Sequence, residues 1–224
     1  MDITKGKYWD KGIQLVDGCT PCSPGCDHCW SASQAHRFKR EGEPGHDSGI
    51  LTNSNGRFKG DIICYPDRLK RFNTRKPTVF AIWNDLHHEN ITEDFKDIAY
   101  SAMLKAKQHT FLILTKRPQI VADYMEGCRR GADDIGGSFP WDIIWHGLTV
   151  CNQQEADEKI PIFLQVPGKK FLSIEPMLGE IDLRNIHKQY DGGCLDALKG
   201  IDTKLQCHIA GKIDAVILGG ETGP

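Results

Sequence analysis

Apolar residues in this chain gather in short, nearly continuous blocks. They are 13–17 (IQLVD), 61–65 (DIICY), 78–83 (TVFAIW), 110–115 (TFLILT), 143–150 (IIWHGLTV), 171–175 (FLSIE) and 214–218 (DAVIL). Short runs without polar alternation predict strands buried on both faces. Segments with helical spacing lie between them. Thr92 predicts the cap of a helix over 93–108, with Glu93 and Asp94 at its positive end and Phe95, Ile98, Ala99, Ala102 and Ala106 on the buried face. Pro118 predicts the first residue of another helix, which turns Ile120, Val121, Tyr124, Met125 and Cys128 inward and stops at Gly131. Asn152 predicts the cap of a third helix reaching Lys159, and 30–40, free of Gly and Pro, predicts a fourth. Residues 42–60, rich in Gly, Ser, Asn and Asp, predict a long loop.

Strands alternating with helices predict an α/β fold with a parallel sheet. With neither G-x-G-x-x-G nor G-x-x-x-x-G-K-[ST] in the chain, the blocks favour an open or partial (β/α) TIM-type barrel over a dinucleotide-binding fold. The expected organisation is a single partial-barrel domain over 1–224 with an insertion at 185–212. A complete eightfold barrel would need a further strand and helix after GGETGP.

Composition narrows the function. A chain of 224 residues with 39% hydrophobic residues, 26% charged residues and net charge −2 can bury a sizeable core and is not of the disordered class. No apolar run approaches the roughly 20 residues that span a bilayer. The opening MDITKGKYWDKG has no apolar stretch of the signal-peptide kind, so a cytoplasmic address is expected. Near-neutral charge argues against a global nucleic-acid footprint. The segment 68–76 (RLKRFNTRK) is the local candidate for phosphate-backbone contact, a solvated face being its plain alternative.

Cysteine usage carries the sharpest signal. Of nine cysteines, Cys19, Cys22, Cys26 and Cys29 fall in the stretch GCTPCSPGCDHCW, where Pro21, Pro24 and Gly25 predict a loop. Two spacings are nested there, Cys22-x3-Cys26-x2-Cys29 and Cys19-x6-Cys26-x2-Cys29. Three thiolates from one loop suit a 4Fe–4S cluster with one iron left open, and four suit zinc or a fully ligated cluster. Zinc sites usually join two separated pairs, so crowding favours iron–sulfur over zinc, with disulfide or spare thiols third. The scattered Cys64, Cys128, Cys151, Cys194 and Cys207 read as small buried hydrophobes.

Polar residues crowd just after the blocks, where the chemistry of parallel α/β proteins gathers. They include Asn84, Asp85, His87, His88 and Glu89, then Lys116 and Arg117, then Cys151 and Asn152, then Glu175, and finally Gly219, Gly220 and Glu221. Parallel strands would place all of them on one rim with the cysteines. Glu175, Lys116 and Asp85 are the catalytic candidates. Asn84, Asp85, Lys116, Arg117, Asn152, Glu175, Gly219, Gly220 and Glu221 are the cofactor-binding candidates. The two basic residues suit a carboxylate or phosphate, and the glycines permit close approach of backbone to a ligand. Turns, helix starts and solvated polar side chains are the plain alternatives. The His87-x-Glu89 spacing is set aside as a zinc-deaminase signature, because there the cysteines follow it.

With these residues assembled, the chain resembles the phage gp thirty-seven/gp sixty-eight family of three-cysteine proteins. The likeness runs through GCTPCSPGCDHCWSASQA, VFAIWNDLHHENI, QHTFLILTKRP, WHGLTVCNQQEADEKIP, FLSIEPMLGEIDL and DAVILGGETGP. It implies a barrel related to the radical S-adenosylmethionine enzymes, a 4Fe–4S cluster, S-adenosylmethionine as cofactor and, for some members, a three-Cys-motif partner protein. By position the family's cysteines fall on Cys19, Cys26 and Cys29, while Cys22 supplies the C-x3-C-x2-C spacing of typical radical enzymes. Cys151 departs from the family, which commonly has Glu before Asn152. By position and chemistry, Asn84 and Asp85 are expected to orient such a cofactor's amino group or ribose, Lys116 and Arg117 a carboxylate or substrate phosphate, and Glu175 and Glu221 ribose hydroxyls or substrate. The substrate is unnamed, with nucleic acid or a nucleotide the contextual expectation. A zinc-stapled module that binds nucleic acid or a partner protein without catalysis is the competing expectation.

Overall fold

A computed structural model describes residues 7–38, 46–134, 141–187, 193–208 and 211–220. The chain divides into two compact units, Met1–Leu114 and Thr115–Pro224.

The first unit opens with β1 (Lys11–Gln14) and β2 (Val16–Asp17) and passes through a 3-10 turn (Pro24–His28) into α1 (Trp30–Arg37). It continues through α2 (His46–Gly49), β3 (Ile63–Cys64), a second 3-10 segment (Pro66–Phe72), β4 (Val79–Trp83), α3 (Glu93–Lys105) and β5 (Thr110–Thr115). β4 pairs in parallel with β1 on one side and β5 on the other, with Gln14 opposite Trp83. One face of this sheet is sealed by Phe72, Phe80 and Phe111, whose ring centroids lie 4.8–5.7 Å apart. The strands alternate between buried and half-buried positions, so in this unit the apolar blocks are not buried equally on both faces. The block at 61–65 is not a parallel strand either. Only two of its residues pair, antiparallel to β2.

Two helical expectations shift here. The fourth helix ends at Arg37, with Phe38 as its C-cap, and 39–40 lie outside the described residues. In α3 the Thr92 hydroxyl accepts the Phe95 amide at 3.3 Å, as a cap should. The buried face, however, is Phe95, Lys96, Ala99, Tyr100 and Met103, and Ile98 is 53% exposed. Tyr100 turns inward because its hydroxyl bonds His87 Nε2 at 2.8 Å. The stretch expected as a long loop instead forms α2 and a bridge between Thr52 and Phe58. Leu51 and Phe58 join Ala32 and Ala35 in a small core, against which Cys19, Cys29 and Ile63 pack.

The second unit contains α4 (Pro118–Asp134), β6 (Ile144–Thr149), α5 (Gln153–Phe163) and β7 (Lys169–Met177). After them come β8 (Ile186–His187), β9 (Cys194–Asp196), β10 (Ile201–Asp202), β11 (Cys207–His208) and β12 (Ala215–Gly220). β7 lies between β6 and β12, parallel to both. Gly147 faces Phe171 so closely that a Cβ there would sit 2.2 Å from the ring. α4 does not stop at Gly131, which lies in open space inside the helix and needs no left-handed turn. α5 runs through Pro161 to Phe163, past the expected Lys159. The insertion is itself structured: β8 to β11 form an antiparallel sheet in the order β11-β10-β9-β8. Both units are thus α/β, with parallel strands.

Candidate functional site

The cysteine bend begins where β1 and β2 end. Gly18, at φ +85°, turns the chain so tightly that a Cβ would lie 2.0 Å from the Asp61 carbonyl. The bend is then fastened to the end of β4 by side chains. Asn84 Nδ2 donates to the Val16 carbonyl (3.0 Å) and to Asp17 Oδ1 (3.2 Å), while Asn84 Oδ1 accepts the Ser31 hydroxyl (2.6 Å). Asp17 is buried; its carboxylate also accepts the Gly18 amide and the Ser48 hydroxyl. Asn84 has φ +59°, a left-handed conformation that Asn tolerates better than most residues. His88, wholly buried, accepts the Thr20 amide on Nε2 at 2.9 Å, and Gly60 N–H donates to the Cys19 carbonyl at 3.1 Å. Strand pairing, a buried carboxylate and an imidazole therefore fix the start of the bend.

None of the four cysteines is joined in a disulfide. Cys22 is exposed and Cys19, Cys26 and Cys29 are half-buried. Cys26 Sγ accepts the Cys22 amide and Cys29 Sγ accepts the Ala32 amide, each at 3.5 Å, so Cys29 caps α1 through sulfur. Among the described residues no three His, Cys, Asp or Glu side chains converge on a point that would hold a metal ion. The donor set nevertheless fits a thiophilic metal by its chemistry, with four soft ligands on one bend.

The remaining candidates of this unit have defined local partners. Asp85 is buried and accepts the His87 amide on Oδ1 at 3.0 Å, which turns the chain after β4. His87 is buried beside Tyr100. In 68–76, Arg68 stacks on Tyr65 with its guanidinium 3.6 Å from the ring centroid and donates to the Gln14 carbonyl at 2.8 Å. Phe72 belongs to the core, whereas Lys70, Arg71, Arg75 and Lys76 are exposed.

The other candidates lie in the second unit. Lys116 Nζ lies 3.8 Å from Cys151 Sγ, a wholly buried thiol. Arg117 donates its amide to the Thr115 hydroxyl at 3.0 Å. Asn152 caps α5, accepting the Glu155 amide at 2.9 Å. Glu155 is buried; it accepts the Cys151 amide at 2.9 Å and pairs with Lys159. Glu175 is exposed and accepts the Ser173 hydroxyl at 3.1 Å. Gly219 lies so close that a Cβ there would meet the Glu175 carboxylate at 2.6 Å. Gly220 ends β12, and Glu221 lies outside the described residues.

Sequence reasoning passed over Asp17, Ser31 and Thr20, which hold the bend, and Glu155, which supports Cys151. A short polar residue next to a cysteine run is a weak mark, and only the fold reveals which strand end it meets. Burial also sets one charge state in the second unit. Desolvation, reinforced by Lys170, lowers the His146 pKa to about 3, so this imidazole is neutral.

An α/β protein that presents a thiol-bearing bend at the end of its first parallel strand is the class these observations define. The chain belongs to the family described as protein of unknown function DUF5131, whose model matches residues 3–224. No curated protein and no solved structure matches it. No helix among the described residues is long and apolar enough to cross a membrane.

Proposed function

We propose that this chain is an iron–sulfur protein of the radical S-adenosylmethionine type, built on an open or partial (β/α) barrel and related to the phage gp thirty-seven/gp sixty-eight proteins. The observation that carries the reading is the bend with Cys22, Cys26 and Cys29 at cluster spacing, clasped to the end of β4 by Asn84, Asp17, Ser31 and His88. Those three thiolates, with Cys19 as the competing third ligand, would hold a 4Fe–4S cluster. A cluster with one open iron supplies reductive cleavage of bound S-adenosylmethionine, and with it hydrogen abstraction from a substrate.

The chain's own residues do the placing. Asn84, Asp17 and Ser31 fix the bend, and the amides of Cys22 and Ala32 donate to the sulfurs of Cys26 and Cys29. Lys116 and Arg117 supply cationic groups for a carboxylate or phosphate, and Glu175 supplies an exposed carboxylate for hydroxyl groups. The proposed setting is the cytoplasm of a bacterial or phage-infected cell, with a three-Cys-motif protein as partner.

Protein purified and reconstituted without oxygen should contain about four iron and four sulfide per chain and give a cluster EPR signal on reduction. Cys26→Ser should abolish it. Cys19→Ser and Cys22→Ser decide the third ligand, because only one of the two should match the Cys26→Ser loss. One tightly held zinc and no iron uptake would overturn the reading. That outcome would favour the second one, a zinc-stapled module whose exposed Lys70, Arg71, Arg75 and Lys76 contact nucleic acid without catalysis.

A further inference from the structure

The bend has an aromatic neighbour that the proposed chemistry does not use. A cavity of about 150 Å³ opens between α1 and the ends of β1 and β4. Two indoles form part of its wall: Trp30 and Trp83 meet edge to face, centroids 5.5 Å apart with an interplanar angle of 82°. Trp30 is 59% exposed, a large apolar area left to water on the first residue of α1. Two side-chain amides share the cavity. Gln14 is oriented by Arg68 Nη1 at 3.2 Å from its Oε1, and Gln34 makes no hydrogen bond to a described residue. The buried carboxylate of Asp17 also lines it. Arg37, one turn beyond Gln34, lines the adjoining outer groove with Trp30 and Phe38 and makes no ion pair with a described residue.

This combination has a chemical complement. An exposed indole in a polar-walled slot offers a stacking face to a planar ring. Amide groups beside it bond the ring's donor and acceptor edge in either sense, since each carries both functions. Asp17 inside disfavours an anion in the slot, and Arg37 outside attracts one. A ligand that satisfies all four features is a flat heteroaromatic base with its phosphate directed outward.

We propose that this cavity binds the nucleobase of a nucleotide, stacked on Trp30, edge-bonded by Gln14 and Gln34, with the phosphate at Arg37. The inference deepens the functional reading by naming its substrate class, and it rests on that reading only for the chemistry performed on the ligand. Binding itself requires no metal. The same base could be presented by S-adenosylmethionine, which has no phosphate, so the test separates the two sources.

The test titrates tryptophan fluorescence of the full chain, purified without metal, with adenosine monophosphate, uridine monophosphate, adenosine and S-adenosylmethionine. Saturable quenching by the monophosphates is expected. Trp30→Ala should weaken their binding about tenfold or more and Trp30→Phe less than about threefold, the pattern of a stacking contact. Arg37→Ala should weaken adenosine monophosphate about fivefold and leave adenosine unchanged. Circular dichroism of each variant verifies folding. Absence of saturable quenching by either monophosphate, or undiminished binding by Trp30→Ala, would overturn the proposal. Binding of S-adenosylmethionine alone, indifferent to Arg37, would assign the slot to the cofactor and overturn it equally. Iron content, measured separately, decides the cluster whichever way the titration falls.

Discussion

Asn84 shows how much one side chain can settle. Its amide spends both ends on the bend, and its backbone sits where a β-carbon is unwelcome. Asn84→Ala removes three hydrogen bonds and keeps the strained φ, so it should cost about 2–3 kcal/mol in urea unfolding. Ser31→Ala, which removes one of the three, should cost about 1 kcal/mol. His146 makes a separate prediction with a definite sign. In the unfolded chain a histidine gains its proton near pH 6.5, but in the folded protein only near 3. Between those values the unfolded state binds more protons, so folding stability is fully present above about pH 6.5 and is lost as pH falls toward 3. The slope from this one group is at most about 1.4 kcal/mol per pH unit. Urea midpoints at pH 4.5 and 7.5 should differ less in His146→Phe than in the native protein; equal differences would remove His146 as a source.

At the scale of elements, the legible parts were those governed by local rules. Thr92 and Asn152 cap helices, and Pro118 opens one, because capping depends on three or four neighbouring residues. Five of the seven apolar blocks become parallel strands, and a sixth begins in β1. Two of the failures depended on distant partners. Ile98 and Tyr100 exchange places because His87 lies over the helix, and the block at 61–65 pairs antiparallel because β2 lies beside it. No spacing rule along the chain encodes either neighbour. The contact of Gly147 with Phe171 is of the same kind, two residues that meet only through strand register. Gly147→Ala should therefore destabilise the protein by about 2 kcal/mol. Phe171→Leu should recover part of that loss in the Gly147→Ala background while costing stability on its own, a coupling that a double-mutant cycle measures.

For the whole molecule, the candidate site was legible as chemistry and not as assembly. Four thiols within eleven residues declare a soft donor set from sequence alone. That Asp17, Ser31 and His88 hold the bend required the fold, since strand pairing decides which residues follow the ends of β1 and β4 together. Asn84, Asp85 and Asn152, expected at a cofactor, each have hydrogen bonds that serve the chain itself. Loading with iron and sulfide should raise the melting temperature of the full chain by about 4 °C or more, a gain that Cys26→Ser should lack. The first unit of the metal-free chain should still unfold cooperatively, as hydrogen exchange of its amides can record. The reason lies in the buried carboxylate of Asp17 and the ring of His88, which grip the peptide rather than any guest. What the polypeptide itself secures is the course of the backbone into the bend. On the proposed iron–sulfur reading, a chain that loses its cluster to air would keep this anchoring, and refilling it would need no new synthesis.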